Sequence, residues 1–186
     1  MTKVIFIQGP PRSGKDTVGE ILRSQLRRLG HAARVYKFAD PIADWSESFF
    51  GVSCRDEAIK DERHHNTEGK TPREVAIAFS ERAIKPVFGH DIFGKVLSRK
   101  IAQGDQDFAI ITDSGFPLEA APIYRQVGLT NCVALQLERD GTSFVNDSRD
   151  YWELPAPGRT TRFRNVGSMS NLLEDVCSMW DRVEPV

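Results

Sequence analysis

A glycine-rich segment near the amino terminus constrains the fold of this chain more than any other feature. The apolar run VIFIQ leads into Gly9–Thr17, whose sequence is GPPRSGKDT, and an amphipathic helical pattern follows. Glycines at both ends of this loop let the backbone curve so that its amides point at one anion, and the dipole of the following helix adds positive potential. A strand, such a loop and a helix in this order predict a phosphate-binding P-loop.

The predicted loop carries its own cation. Lys15 is placed to reach the β- and γ-phosphates of a nucleoside triphosphate, where it would neutralise charge during phosphoryl transfer. We therefore predict that Lys15 is a catalytic residue. The predicted ATP-binding residues are those of the whole loop: Gly9, Pro10, Pro11, Arg12, Ser13, Gly14, Lys15, Asp16 and Thr17.

The residue after this lysine departs from the usual P-loop pattern. A Ser or Thr hydroxyl normally ligates Mg²⁺ at this position, but here it is Asp16, and Thr17 comes one place later. A carboxylate could hold Mg²⁺ directly or through the water shell of the ion. Alternatively, Asp16 only adds negative charge to the first helical turn, which the helix dipole favours. The sequence leaves both interpretations open.

Short apolar runs alternate with amphipathic helical stretches along the chain, which is typical of parallel βαβ units. We predict strands at 4–8, 33–38, 108–112, 132–137 and 162–166, and helices at 15–29, 41–50, 71–84, 91–101, 117–127 and 171–180. The first strand is continuously apolar, as in a sheet that is buried on both faces. The predicted fold class is α/β, a three-layer P-loop NTPase sandwich with a parallel sheet of about five strands and helices on both faces.

We expect one domain over 1–186, with two segments that serve the site. The first is a helical excursion at 41–103, which would bind the phosphoryl acceptor. The second is the loop at 138–161, where hydrophobic periodicity disappears and Gly, Pro, Asp and Arg are abundant. Long irregular loops in compact domains are often functional, and a loop that carries arginines could close over ATP as a lid.

Composition excludes several classes of protein. The net charge of −1 argues against a globally basic nucleic-acid binder, although a local basic groove remains compatible with it. Three widely spaced cysteines indicate neither a disulfide framework nor a zinc site. No apolar run approaches the length of a membrane span, and a strand beginning at residue 3 leaves no room for a signal peptide. We expect a soluble cytoplasmic protein without a membrane partner, and the pattern indicates no oligomeric state.

Carboxylates follow two of the predicted strands, at the edge of a parallel sheet where ligands gather. Asp113 comes directly after an apolar strand, which is the place of a Walker B acid that holds Mg²⁺ through water. Aspartate also ends strands simply as a turn residue. Asp40 follows the second strand, and either carboxylate could accept the proton of an acceptor hydroxyl. We predict Asp40 and Asp113 as catalytic residues, and Asp16 and Asp113 as metal ligands.

Phosphoryl transfer also needs cations around the moving group. Arg149 lies in the predicted lid and is our candidate for a catalytic arginine. Other basic candidates are more often exposed surface residues than site residues: Arg12, Arg73, Arg82, Lys85, Arg159, Arg162 and Arg164. The adjacent histidines His64 and His65 do not face one another on a helix, so they do not predict a metal site.

Several short segments occur in an order that resembles one group of kinases. They are GKDT at 14–17, FADP at 38–41, KDE at 60–62, TPRE at 71–74, SER at 80–82, KPVFG at 85–89, DIFG at 91–94, TDSGF at 112–116 and DSR at 147–149. The chain resembles bacteriophage deoxynucleoside monophosphate kinases. It resembles still more a branch of phage P-loop kinases that phosphorylate 5-hydroxymethyluracil within DNA, an early step of thymine hypermodification.

The resemblance implies ATP and Mg²⁺ as cofactors and a host-cell cytoplasmic location. It implies transfer of the γ-phosphate to the hydroxymethyl group of 5-hydroxymethyl-deoxyuridine in DNA, so the partner would be a deoxynucleotide-type acceptor. The acceptor-binding residues that it implies are Asp40, Arg73, Glu81, Lys85 and Ser114. A duplex would need to extrude its base, or the substrate would be single-stranded.

One departure bears on the acceptor. Ordinary phage monophosphate kinases tend to have an arginine two places after the strand-end aspartate, where this chain has Gly115. Loss of that cation argues against a second phosphate on the acceptor and suits an alcohol. Three alternatives stay open: a deoxynucleoside monophosphate kinase that makes diphosphates, a small-metabolite kinase, and a P-loop switch that binds nucleotide without phosphotransfer.

Overall fold

A computed structural model describes residues 2–145 and 147–165 of the chain. Five strands form its sheet: β1 Lys3–Gln8, β2 Ala33–Tyr36, β3 Phe108–Ile111, β4 Cys132–Glu138 and β5 Arg159–Arg164. Six α-helices accompany them: α1 Lys15–Arg28, α2 Asp40–Phe50, α3 Pro72–Phe79, α4 Lys85–Phe88, α5 Ile92–Gln103 and α6 Pro117–Val127. The helix predicted at 171–180 lies outside the described residues.

All neighbouring strands of the sheet are parallel, in the order β2-β3-β1-β4-β5. Ile5 of β1 is paired with Ile110 on one side and Val133 on the other, so β1 lies at the centre. Parallel neighbours need long crossover connections, which the helices supply. The predicted α/β sandwich of the P-loop NTPase type, with helices on both faces of a parallel sheet, is confirmed.

The apolar character of β1 follows from burial on both faces. Ile5 and Ile7 pack with Val18, Leu22 and Leu26 of α1 in one cluster. Since side chains alternate across a strand, Phe6 faces the opposite side, and it too is fully buried. The helix that follows the P-loop is thus fixed on the sheet by three apolar residues at helical spacing.

The chain divides into two compact units. The first contains the residues up to Lys37 and those from Gly94 onward, with the whole sheet, α1 and α6. The second, Phe38–Phe93, contains α2, α3 and α4 and overlaps the predicted excursion at 41–103. Within it, the rings of Trp45 and Phe79 stack with their centroids 3.6 Å apart, which joins α2 to α3.

A capping box forms at Thr71, where the helix is predicted to begin. Thr71 accepts a hydrogen bond from the amide of Glu74, whose carboxylate accepts one from the amide of Thr71. The helix predicted over 71–84 is not α-helical throughout, because α3 stops at Phe79 and a π-helix, Ser80–Ile84, follows. Pro86 has no amide hydrogen to donate to the carbonyl four residues earlier, so the α-helical hydrogen-bond ladder is interrupted there.

The predicted start of the last strand also needs correction, since β5 begins at Arg159 rather than at 162. Only one of its six residues, Phe163, is a large apolar residue. Hydrophobic periodicity therefore could not predict that the strand begins at Arg159. Pairing with β4 along its full length defines the strand instead. Among the described residues, no helix is both long and apolar enough to cross a membrane.

Gly19 gives a test of this packing. A Cβ at Gly19 would lie 2.4 Å from Cγ2 of Thr112, because α1 approaches β3 closely there. We expect Gly19→Ala to destabilise the protein by about 1–3 kcal/mol, although alanine is the better helix former. Urea unfolding measures this, with Ser24→Ala on the exposed face of α1 as control, expected within about 0.5 kcal/mol of wild type. A stabilised Gly19→Ala variant would contradict the packing.

Candidate phosphate-binding site

The P-loop connects β1 to α1 through a tight curve that requires glycine at both ends. A Cβ at Gly9 would lie 2.5 Å from the Ser13 hydroxyl and 2.9 Å from the carbonyl oxygen of Leu137. Gly14 has a φ of 95°, a left-handed conformation that side chains disfavour. Arg12 is left-handed as well, with a φ of 64°, and holds this strained conformation without being glycine.

The P-loop has hydrogen-bond donors that lack an acceptor. The first amides of α1 have no acceptor within the helix, and no side chain caps its start at Gly14. The Ser13 hydroxyl is fully buried and has no hydrogen-bond partner. Buried polar groups are rarely left unpaired, so the loop is suited to a ligand with several acceptor oxygens, such as a polyphosphate.

Two side chains from outside the P-loop hold its carbonyl groups. The Asn165 amide donates to the carbonyl of Ser13 at 2.9 Å, and the Arg139 guanidinium donates to that of Arg12 at 3.2 Å. These two hydrogen bonds satisfy the carbonyls of Ser13 and Arg12 without using the amides of the loop. Sequence reasoning missed both residues, and only their position after β4 and β5, at the ligand-binding edge, could have suggested them.

Lys15 folds back over the loop. Its ammonium donates to the carbonyls of Gly9 at 2.8 Å and Pro10 at 2.7 Å. Burial, followed by the positive charge of Arg149, lowers the pKa of Lys15 to about 8. A bound anion would stabilise the ammonium form, so the site is electrostatically suited to a phosphate.

Asp16 ties the start of α1 to the edge of the sheet. Its Oδ1 accepts a hydrogen bond from the Thr112 hydroxyl at 2.6 Å and forms an ion pair with Lys37 at 2.9 Å. Burial raises the pKa of Asp16, but these two partners outweigh it and the net shift is downward, so the carboxylate stays charged. Sequence reasoning missed Lys37, although its place one residue after β2 puts it at the same edge.

The site could hold Mg²⁺ only with help from other ligands. In the part of the chain that the structure describes, no three His, Cys, Asp or Glu side chains are grouped to hold a metal ion. Mg²⁺ keeps several waters and commonly adds phosphate oxygens to one or two carboxylates. Asp16 and Asp113 fit that role. Asp16 accepts a hydrogen bond from the Thr112 hydroxyl, and Asp113 is the next residue after Thr112 in the sequence.

The turn after β3 places Asp113 and Ser114 next to β1. The Ser114 amide donates to the carbonyl of Ile7 at 3.3 Å, and the Gly115 amide donates to that of Asp113 at 2.8 Å. The Ser114 hydroxyl is buried and has no hydrogen-bond partner, like that of Ser13. The Ser114 hydroxyl is therefore a second group whose hydrogen-bonding capacity is unused, and its predicted role in binding the acceptor stays a prediction.

Arg149 reaches this turn from the loop after β4. The stem of its side chain lies across Gly115, where a Cβ would come within 2.4 Å of its Cδ. The stem of an arginine from another part of the chain therefore occupies the space beside Gly115, and the consequence expected for the acceptor stays a prediction. Asp147, and after it Asp113, raises the pKa of Arg149, whose own charge acts on Lys15.

The other predicted site residues lie in the second unit, where each takes part in an ion pair. Asp40 contacts Arg55 at 3.2 Å. Arg73 contacts Asp61 at 2.5 Å, and Lys85 contacts Glu81 at 2.7 Å. Their predicted roles in acceptor binding and catalysis stay predictions.

No protein-family model matches the chain, and neither does any curated protein sequence. Its fold is similar to solved structures of kinases. These include the Mycobacterium tuberculosis APS kinase in complex with AMPPNP and APS, at a TM-score of 0.51 and 12% identity over 97% of this chain and 98% of that one.

Two further structures have the same likeness. A sugar kinase from Janibacter has a TM-score of 0.51 at 12% identity, over 100% of this chain and 97% of that one. A gluconokinase from Sinorhizobium meliloti has a TM-score of 0.50 at 10% identity, over 98% of this chain and 93% of that one. With the parallel sheet and the P-loop described above, the chain has the P-loop NTPase fold.

Proposed function

We propose that this protein is an ATP-dependent kinase that binds the triphosphate in the P-loop and transfers its γ-phosphoryl group to a deoxynucleotide-type acceptor. The observation that carries the proposal is the set of unpaired donors and cations around one curve of backbone. It comprises the first amides of α1, the buried Ser13 hydroxyl, Lys15 and Arg149. Phosphoryl transfer depends on positioning and charge neutralisation, which such groups provide.

Each of these groups has a distinct role in the proposed reaction. The amides of the loop bind the β-phosphate, while Lys15 leaves the carbonyls of Gly9 and Pro10 to contact the β- and γ-phosphates. Arg149 neutralises charge on the moving group. Mg²⁺, when bound, would supply further positive charge at the phosphates, held by Asp113 and Asp16 through oxygen ligands.

The resemblance in the sequence supports one acceptor in particular, the hydroxymethyl group of 5-hydroxymethyl-deoxyuridine in DNA. An alcohol must lose its proton as it attacks, and Asp113 or Asp40 would accept that proton. The unpaired Ser114 hydroxyl supports a polar acceptor group near Asp113. In this proposal Arg73, Glu81 and Lys85 bind the rest of the acceptor.

A specific observation favours a second candidate, a deoxynucleoside monophosphate kinase. The guanidinium stem of Arg149 lies over Gly115, close to where the resembling monophosphate kinases carry an arginine of their own. A cation there would suit the phosphate of a monophosphate acceptor. The absence of an arginine at position 115 is therefore no argument against an acceptor that carries a phosphate, because Arg149 could supply the cation.

The acceptor is identified by incubation with ATP labelled at the γ-phosphate and one of three acceptors: hydroxymethyluracil DNA, deoxynucleoside monophosphates or unmodified DNA. Label in the modified DNA alone supports the first proposal, and label in diphosphates supports the second. Hydrolysis that no acceptor stimulates would contradict both and indicate a nucleotide switch.

Lys15 predicts a pH dependence of nucleotide binding. Its pKa is about 8 in the free protein, and bound phosphates raise it, so binding takes up a proton above pH 8. Affinity for ATP should fall by only about twofold from pH 7 to 8 and then by up to about tenfold per pH unit. Calorimetric titration of wild type and Lys15→Met checks this. The Lys15→Met variant should bind ATP more weakly, and its affinity should not fall in this way above pH 8. A variant whose affinity falls with pH as steeply as that of wild type would contradict the role of Lys15.

Asp113 predicts a metal dependence. Asp113→Asn removes a charge that would help to hold Mg²⁺, so the Mg²⁺ concentration for half-maximal activity should rise about tenfold or more. Asp105→Asn is the matched control, since Asp105 lies just before β3, at the opposite end of that strand, in an exposed ion pair with Arg34. Coincident Mg²⁺ titrations of wild type and Asp113→Asn would exclude the metal role.

A further inference from the structure

We propose that Asp147 is a positioning residue that holds the Arg149 guanidinium at the γ-phosphate position before nucleotide binds, and that Gly115 provides the space for this arrangement. The inference rests on the proposed function and names the residues that prepare its catalytic arginine. In a P-loop kinase with a mobile lid, the arginine arrives only on closure. In this chain it would already be in place.

The first support is the geometry of the pair. The Arg149 Nε donates to Oδ1 of Asp147 at 2.8 Å and its Nη2 donates to Oδ2 at 2.5 Å, which is a bidentate contact. The Asp147 side chain is 14% exposed and that of Arg149 is 25% exposed. A planar fork of this kind, shielded from water, fixes orientation far better than an exposed surface pair does.

The second support is the space at Gly115. A Cβ there would lie 2.4 Å from Cδ, 2.5 Å from Cγ and 2.9 Å from Cβ of Arg149, so any side chain would push the arginine away. The φ of Gly115 is not in the left-handed region, so its backbone does not require glycine. The stem of the arginine therefore accounts for the absence of a side chain at this position.

The third support is an anchor three residues after Arg149. The backbone of Trp152 exchanges two hydrogen bonds with the buried side chain of Gln8, at 2.8 and 2.9 Å, and its indole nitrogen donates to the carbonyl of Ser114 at 3.2 Å. Gln136 donates to the same Trp152 carbonyl at 3.1 Å. These contacts attach the segment to the ends of β1 and β4, so Arg149 starts from a fixed backbone.

Electrostatic repulsion explains why Arg149 needs a carboxylate partner. Arg149 and Lys15 are close enough for the charge of the arginine to lower the pKa of the lysine. Two cations at an empty phosphate site repel one another, and without a carboxylate the flexible arginine would turn toward solvent. Asp147 offsets this repulsion, and the γ-phosphate of a bound nucleotide would then meet both cations already assembled.

The test compares binding of ADP with that of AMPPNP, which carries a γ-phosphate analogue, by isothermal titration calorimetry. We expect Asp147→Asn to weaken AMPPNP binding by about 10-fold, within the range for a hydrogen bond to a charged group, and to leave ADP binding within about twofold. Asp147→Glu should restore part of the loss. Gly115→Ala changes no charge, but it should likewise weaken AMPPNP binding and leave ADP binding nearly unchanged. This variant keeps the proposal testable if Asp147→Asn does not fold.

Two controls separate positioning from general damage. Asp150→Asn removes the same charge from the same loop without touching the guanidinium, and should match wild type. Asp147→Asn should add no further loss in an Arg149→Ala background, because it acts only through the arginine. Equal losses for ADP and AMPPNP, or additive losses in the double variant, would overturn the inference. Wild type that binds neither nucleotide would instead contradict the proposed function.

Discussion

The close approach of the P-loop to the end of β4 is the constraint on which the rest of the site depends. Gly9 lies so near the Leu137 carbonyl and the Ser13 hydroxyl that no side chain fits there. After this approach α1 begins at Lys15, and the apolar face of α1 fixes the helix on the sheet. The anion site is therefore a product of backbone geometry, to which side chains add charge.

Each cation of the site has an acceptor within the protein. Lys15 bonds to loop carbonyls, Lys37 pairs with Asp16, and Arg149 pairs with Asp147. Each is thus held by a weaker acceptor than a polyphosphate would be, at the edge where the strands end. Such a site is assembled without ligand and needs little reorganisation when a highly charged anion arrives, which is the condition for effective electrostatic catalysis.

Local sequence signals predicted much of this structure because they act over a few residues. The glycines and lysine of the P-loop, the capping box at Thr71 and the apolar strands each have a pattern that adjacent residues complete. The polar strand β5 and the position of Arg149 over Gly115 depend on residues far apart in the chain, and no local pattern records such pairings. Asp147 lies in the DSR segment at 147–149 that takes part in the resemblance, but no local pattern predicts that its side chain pairs with that of Arg149.

In the proposed site, main-chain amides at the start of α1 bind a polyphosphate beside Lys15. Amide chemical shifts during titration of ¹⁵N-labelled protein with AMPPNP test it most directly. We expect the largest shifts at 12–17, and we expect them to saturate with one nucleotide per chain. Saturable shifts confined to the second unit, with the amides of 12–17 unmoved, would contradict it.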